Sequence, residues 1–416
     1  MRTVASLRAL LGLLRKNPAF RRLFLATVVS LLGDWFSFVA VSGFIVERTG
    51  RPGLAAVVYS ASVLPIFFLS PIAGVVADRR DRRLLMVGAD VLRTVPVLGL
   101  LVALWLGSAV LAVACVLAVS AISAFFEPAS AASTPNLVDP EDLPVAQAAM
   151  GGVWGTMLFL GAALGGLATA TLGRQASIVI DAVSFVVSAV LIVGIRRPFR
   201  LRAAAHDSLL GHLREVWRFV RHRPVVQALL WTKTGVGVAN GIVGLLPAYA
   251  MARFGAGDGA IGTLLAARGL GALLGPFIAQ RFAGGDGRKV ILACGSSIVT
   301  YSIAYMFLPL TRSVGVAAIF IALAHLGGGA QWTLSTFGLQ VATPDEVRGR
   351  VLSLDFGLAT LAIGVSALGA AVAAELFGLD VTCWGLAAIG FVYGILWLFF
   401  TRFLWRGDVD PLHPEE

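Results

Sequence analysis

Several ionisable side chains stand inside long apolar runs of this chain: Asp34, Asp90, Arg93, Glu127, Asp181, Lys233, Arg268, His325 and Glu375. An isolated charge in an apolar medium is costly, so such residues are functional candidates by default. The two forms of a buried carboxyl, charged and protonated, differ sharply in that cost. Asp34 is therefore the leading candidate for taking up and releasing a proton or for holding a cation. Its structural alternative is a permanent hydrogen bond or ion pair. Glu127 precedes Pro128, where a break in helical bonding can widen a cavity. It is read as a second proton-coupling acid, with gating or capping as the alternative. Asp90 and Arg93 are one helical turn apart and are expected to pair. Lys233 is expected to snorkel or to oppose an acid, and Arg268 needs a partner, with Asp34 or Glu127 as the expected ones. Trp35, Phe38, Phe126 and Trp332 supply aromatic surface for an amphiphilic or cationic guest. Asn240 and Gln331 supply neutral hydrogen-bonding groups.

These residues must be positioned by helices in a bilayer. Of the 416 residues 58% are hydrophobic and 13% charged, with a mean hydropathy of +0.86. That is about half the charge of a soluble globular protein, and a soluble fold could not cover so much apolar surface. The expected class is an all-α polytopic membrane protein. Twelve apolar stretches of roughly 20 residues fit a bilayer, beginning near Arg22, Gly53, Leu84, Ser108, Val145, Gln175, Val225, Gly259, Val290, Ser313, Val351 and Val381. Asp34 then lies about 16–18 Å along the first span at about 1.5 Å per residue, near its middle. The residues before the first span, 1–19, read as an interfacial amphipathic segment with Leu7, Leu10, Leu11 and Leu14 on one side.

The net charge of +10 would suggest nucleic acid in a soluble chain. Here 25 of the 33 Lys and Arg fall on one face of the spans and 5 on the other. This asymmetry places both termini in the cytoplasm and implies no nucleic-acid partner. Cys115, Cys294 and Cys383 are an odd number, all in apolar stretches, so neither a disulfide framework nor a metal site is expected. No cofactor is expected. A Gly-rich phosphate loop with Lys and Ser or Thr is absent, and no nucleophile–His–acid set stands out, so the chain is not expected to be an enzyme.

Six spans precede a basic connection and six follow it. The expected organisation is a bundle over 1–195, a cytoplasmic linker with an amphipathic helix over 196–223, and a second bundle over 224–416. The halves are weakly similar. Asn17-Pro18 aligns with Arg223-Pro224 at an offset of 206, and Pro140-Glu141-Asp142 with Pro344-Asp345-Glu346 at 204. Two pseudo-symmetric six-helix bundles are the plan of many secondary transporters, whose substrate sites lie near the midplane. At these offsets Asp34 aligns with Asn240, Asp90 with Ser296 and Glu127 with Gln331. The first half would then carry proton coupling, and the second neutral substrate contacts.

The connection after the second span reads Gly74-Val-Val-Ala-Asp78-Arg79-Arg80-Asp81-Arg82-Arg83. Gly74 suits close helix approach, Asp78 suits a helix N-terminus, and arginines suit pairing with acids. With twelve spans and a central basic linker, this resembles the signature of the major facilitator superfamily, except that Asp81 stands where the family usually has Gly. Ser30-Leu-Leu-Gly33-Asp34-Trp35, Pro71-Ile-Ala-Gly74, Phe125-Phe126-Glu127-Pro128-Ala129 and Pro344-Asp345-Glu346-Val-Arg348-Gly349-Arg350 resemble its bacterial drug, macrolide and siderophore exporters. The fifth span keeps the glycines of the antiporter motif, with Ala162 in place of its Pro. The resemblance implies a cytoplasmic gate formed by Gly74, Asp78, Arg79, Arg82 and Arg83, for which Asp355 is the expected partner. It also implies a bacterial inner membrane, a monomer, and proton-coupled export of small amphiphilic or cationic compounds by alternating access. Proton symport of a nutrient, flipping of lipid or lysolipid, and a non-transporting receptor or assembly role remain compatible with the same residues.

Overall fold

A computed structural model describes residues 7–196 and 209–412, Asp408 excepted. Among the described residues, twelve helices are long and apolar enough to cross a membrane, and there is no strand. Spans one to six are Pro18–Thr49, Pro52–Arg79, Arg82–Leu106, Ala109–Leu137, Leu143–Leu172 and Arg174–Val193. Spans seven to twelve are Pro224–Arg253, Gly257–Ala283, Gly287–Leu310, Val314–Ala342, Asp345–Phe377 and Leu379–Phe400. Burial along a span is inverted relative to a soluble helix. In span three Asp90, Arg93, Val97 and Leu100 are buried, whereas Val91, Leu92, Val95 and Trp105 are exposed. Apolar side chains facing outward are at no disadvantage in hydrocarbon, and the polar ones must find partners inside.

The chain divides into two compact units. Unit 1 comprises residues 1–50, 61–204 and 256–266; unit 2 comprises 51–60, 205–255 and 267–416. These units differ from a plain split at the linker by two exchanged segments, the first turns of spans two and eight. Within unit 1, span one packs against five and six, and span three against four and six. Within unit 2, span seven packs against eleven and twelve, and span nine against ten and twelve. The weak sequence repeat thus corresponds to a repeated packing scheme.

The helix starts repeat as well. Pro18 and Pro224 open spans one and seven, where a missing N–H costs nothing. Asn17 caps span one, accepting from the Phe20 N–H at 3.0 Å and donating to the Leu137 carbonyl at 2.7 Å. Asp81 caps span three, accepting from the Arg83 and Leu84 N–H groups at 2.8 and 3.3 Å. Asp286 caps span nine in the same way, from Arg288 and Lys289. Asp81 therefore replaces a turn glycine with a helix cap. Desolvation is the largest single influence on Asp286 and pushes it up, but the hydrogen bonds from Arg288 and Lys289 together outweigh it and hold its carboxyl below the usual range.

Where helices cross tightly, glycine is required by contact and not by φ. In unit 2 a Cβ on Gly271 or Gly275 of span eight would collide with the Ala322 or Leu326 carbonyl of span ten. The interfacial segment forms a helix, Leu7–Lys16, with Leu13 buried against Phe20, Val138 and Ala146, while Leu7 and Leu11 are exposed. Lys16 donates to Asp142 at 3.1 Å, and this bond raises its pKa. Of the linker, 209–220 forms a helix whose Val216 and Val220 join the core of unit 2. Residues 197–208 lie outside the described residues.

Candidate functional site

In unit 1, span one carries Asp34 two turns below Val41, and its neighbours fix its place. Gly33 packs against Ser184 and Asp181 of span six, with no room for a Cβ. Trp35 packs against Gly161 and Gly165 of span five and edge-on to Phe38, with ring centroids 5.8 Å apart. Gly161 thus makes room for the Trp35 side chain, and Gly165 for the backbone at Trp35 and Phe36. Asp34 itself is partly buried, and its carboxyl makes no hydrogen bond or ion pair with any described residue.

The other ionisable groups of unit 1 differ from it. Asp90 and Arg93, on span three, form a fully buried ion pair. Ser188 donates to Asp90 at 2.6 Å, and Arg93 donates to Ser123 at 3.2 Å and Ser30 at 3.3 Å. The Arg93 guanidinium is sandwiched by Phe185 and Phe126, at 4.2 and 4.9 Å from the ring centroids. Phe126, expected on a cavity wall, is instead a core residue, because it covers this cation. Asp181 is buried and accepts from Ser37. Glu127 is exposed, with no hydrogen-bond partner among the described residues. At the far end of the unit, Arg174 bridges Glu47 and Asp258, donating to both Asp258 oxygens at 2.9 and 3.0 Å.

The motif connection is held in a specific way. Arg82 is buried and donates to the Ala77 carbonyl at 3.3 Å and the Ala132 carbonyl at 2.8 Å, tying together the ends of spans two and four. Arg79 and Arg80 are exposed, and Arg83 is half-buried. The side chain of Asp78 lies outside the described residues. Gly74 does not serve a close helix approach here, since a Cβ on it would meet nothing within 4 Å. Asp355, the expected partner of these arginines, forms an ion pair with Lys233 of its own unit.

In unit 2, Asp355 of span eleven forms a buried ion pair with Lys233 of span seven. Lys233 also donates to Thr336 at 2.8 Å and sits 4.8 Å from the Trp332 ring centroid. Trp332 meets Phe356 edge-on. Span seven is discontinuous: one helix ends at Ala239, the next starts at Gly241, and a π turn closes the span over Tyr249–Arg253. Asn240 occupies the break. Its side-chain oxygen accepts from the Tyr59 hydroxyl at 2.9 Å, and its amide donates to Tyr301 at 3.2 Å. Arg268 of span eight donates to the Tyr59 hydroxyl at 3.3 Å. Tyr305 and His325 are joined at 2.9 Å beside Tyr301. Asn240 is thus a buried link in a hydrogen-bond chain. Gln331 is fully buried, and neither of its side-chain polar atoms has a partner among the described residues.

Sequence reasoning missed Tyr59, Tyr301 and Tyr305. The signal was present: the chain has only 5 tyrosines, and a phenol in an apolar span needs a partner. The pairing of Lys233 with Asp355 had no such signal, because 122 residues separate them.

Residues 11–411 match a family described as transmembrane secretion effectors. The chain is 27% identical over 406 residues to the multidrug efflux pump Tap of Mycobacterium tuberculosis (strain ATCC 25618 / H37Rv), covering 90% of this chain and 93% of Tap. It is 28% identical over 250 residues to the uncharacterized MFS-type transporter YkuC of Bacillus subtilis (strain 168), a match that spans just 57% of each chain. Among solved structures, a bacterial homologue of the human lysosomal transporter Spinster, in an inward-facing and occupied conformation, superposes with a TM-score of 0.73. That match covers 92% of this chain and 96% of the other at 13% identity, which makes it a likeness of fold. These relatives and neighbours are transporters, not enzymes.

Proposed function

We propose that this chain, which belongs to the transmembrane secretion effector family of the major facilitator superfamily, is a proton-coupled exporter of small amphiphilic or cationic compounds that works by alternating access. The observation that carries the reading is Asp34: a carboxyl in the middle of a span with no hydrogen bond or ion pair among the described residues. A carboxylate kept for structure has partners, as Asp90, Asp181 and Asp355 do. One without partners is free to exchange a proton or to hold a cationic substrate. Competition between the two at one group couples their movements, since each weakens the binding of the other. The name of Tap, a multidrug efflux pump similar over most of both chains, supports the same substrate class.

In this reading Glu127 relays protons, and Trp35 and Phe38 give aromatic surface to the guest. The connection carrying Asp78, Arg79 and Arg83 latches the cytoplasmic side, with Arg82 holding its backbone. Both termini are cytoplasmic, the membrane is a bacterial inner membrane, and the working form is a monomer.

Ethidium retention in cells tests the reading. Wild-type cells should retain less dye than cells with an empty vector or Asp34→Asn, and a protonophore should remove the difference. Equal retention in all three would overturn broad proton-driven export through Asp34.

A further inference from the structure

We propose that Arg268, with Tyr59 beside it, receives an anionic group of the transported compound, so that preferred substrates are amphiphiles bearing a carboxylate or an equivalent oxyanion. This deepens the export reading and rests on it for transport, though not for binding.

Arg268 lies within span eight, about 17 Å from its start at about 1.5 Å per residue. No described carboxylate pairs with it. The other intramembrane cations are compensated, Arg93 by Asp90 and Lys233 by Asp355. Apart from Asp345 and Glu346, exposed in the first turn of span eleven, the acids in the spans of unit 2 are committed: Asp355 to Lys233, Glu375 to Arg51 and the Gly53 N–H, and Asp380 to Arg253 and Tyr249. What Arg268 does have is a neutral phenol. Tyr59 spends its own proton on the Asn240 oxygen, so its oxygen is left to accept from Arg268. Asn240 is fixed in turn by donating to Tyr301. This chain of bonds orients the guanidinium without neutralising it. The Arg268 Nε–H is buried and has no acceptor.

An oriented, uncompensated guanidinium is matched by a planar or tetrahedral oxyanion, which can accept two parallel N–H bonds. Tyr301, Tyr305 and His325 form a buried aromatic group at the Asn240 end of this chain of bonds, with centroids 4.9 to 5.9 Å apart. A carboxylate on the transported compound fits the guanidinium.

The test is dye binding to the full chain in dodecyl maltoside at neutral pH, read by fluorescence polarisation. Rhodamine B carries a free carboxylate, and its ethyl ester shares the chromophore without it. The wild type should bind the acid about tenfold more tightly than the ester. Arg268→Gln should erase this ratio, and Arg268→Lys, which keeps the charge but not the fork, should restore part of it. Tyr59→Phe should lower it less. Equal or tighter wild-type binding of the ester, no binding of the acid, or equal loss of both dyes in Arg268→Gln would overturn the proposal. The wild-type ratio needs no variant to fold. Added phosphatidylglycerol distinguishes the source of the anion. Displacement of rhodamine B by the lipid, lost in Arg268→Gln, supports the same anion site with a lipid head group as its occupant. Acid preference without proton-driven dye efflux from vesicles would leave this site standing while the export reading fails.

Discussion

In unit 1 the acid Asp34 has no partner while Asp90 and Arg93 hold each other; in unit 2 the cation Arg268 has no carboxylate while Lys233 and Asp355 hold each other. Each unit therefore contains one closed charge pair and one open charge, and the open charges have opposite sign. The closed pairs are fully buried and carry further hydrogen bonds, from Ser188 to Asp90 and from Lys233 to Thr336. Such pairs hold spans together, and their removal one partner at a time is expensive. The open charges sit on spans fixed by other contacts, such as Trp35 on the span-five glycines, and Gly271 and Gly275 on span ten. Two copies of one packing scheme thus carry open charges of opposite sign, which identical copies could not.

The largest expected effect breaks a closed pair. Lys233→Met leaves Asp355 buried and unpaired and should cost about 3–5 kcal/mol in thermal unfolding of the purified protein. Adding Asp355→Leu should recover most of that loss. If the double variant is as unstable as the single, the pair is not what the residues contribute.

An open charge should behave in the reverse way. Asp34→Asn should change stability by less than about 1 kcal/mol but slow proton-driven dye efflux at least tenfold. Destabilisation as large as that of Lys233→Met would place Asp34 among the structural acids and remove the contrast.

A smaller effect tests where the units are alike. Asp81→Ala and Asp286→Ala should each cost about 1 kcal/mol, since each removes one helix cap. Unequal costs would show that the repeated caps are not equivalent. The Asp286 cap also has a definite pH dependence. Its folded carboxyl is held below the ordinary value, so its contribution is present above that value and is lost as pH falls through the depressed one. Asp286→Asn should flatten that acid limb of the melting curve, and an unchanged limb would assign it to other groups.

The motif connection gives the mildest case. Arg82→Gln removes two bonds to helix-end carbonyls and should cost about 1–2 kcal/mol, more than the same change at exposed Arg79. An equal, negligible cost would show that the buried guanidinium does not hold the spans.

Twelve spans and a repeat after six were legible because length, hydropathy and short offsets are local properties. Asp34 was legible because a charge in an apolar run stands out. Charge partners were not. Asp355 was expected to meet the motif arginines, and Phe126 to line a cavity; the fold gave Asp355 to Lys233 and laid Phe126 over Arg93. Tyr59 attracted no notice because a single tyrosine in an apolar run fits either lipid or protein.

The sequence by itself determined that this is a twelve-span membrane protein built twice over, since burying so much apolar surface leaves a bilayer as the only solvent. The tertiary structure alone decided which intramembrane charges are closed and which are open. That follows from the physics of charge in a membrane: its cost is set by groups within a few ångströms, and those groups come from spans tens to hundreds of residues apart.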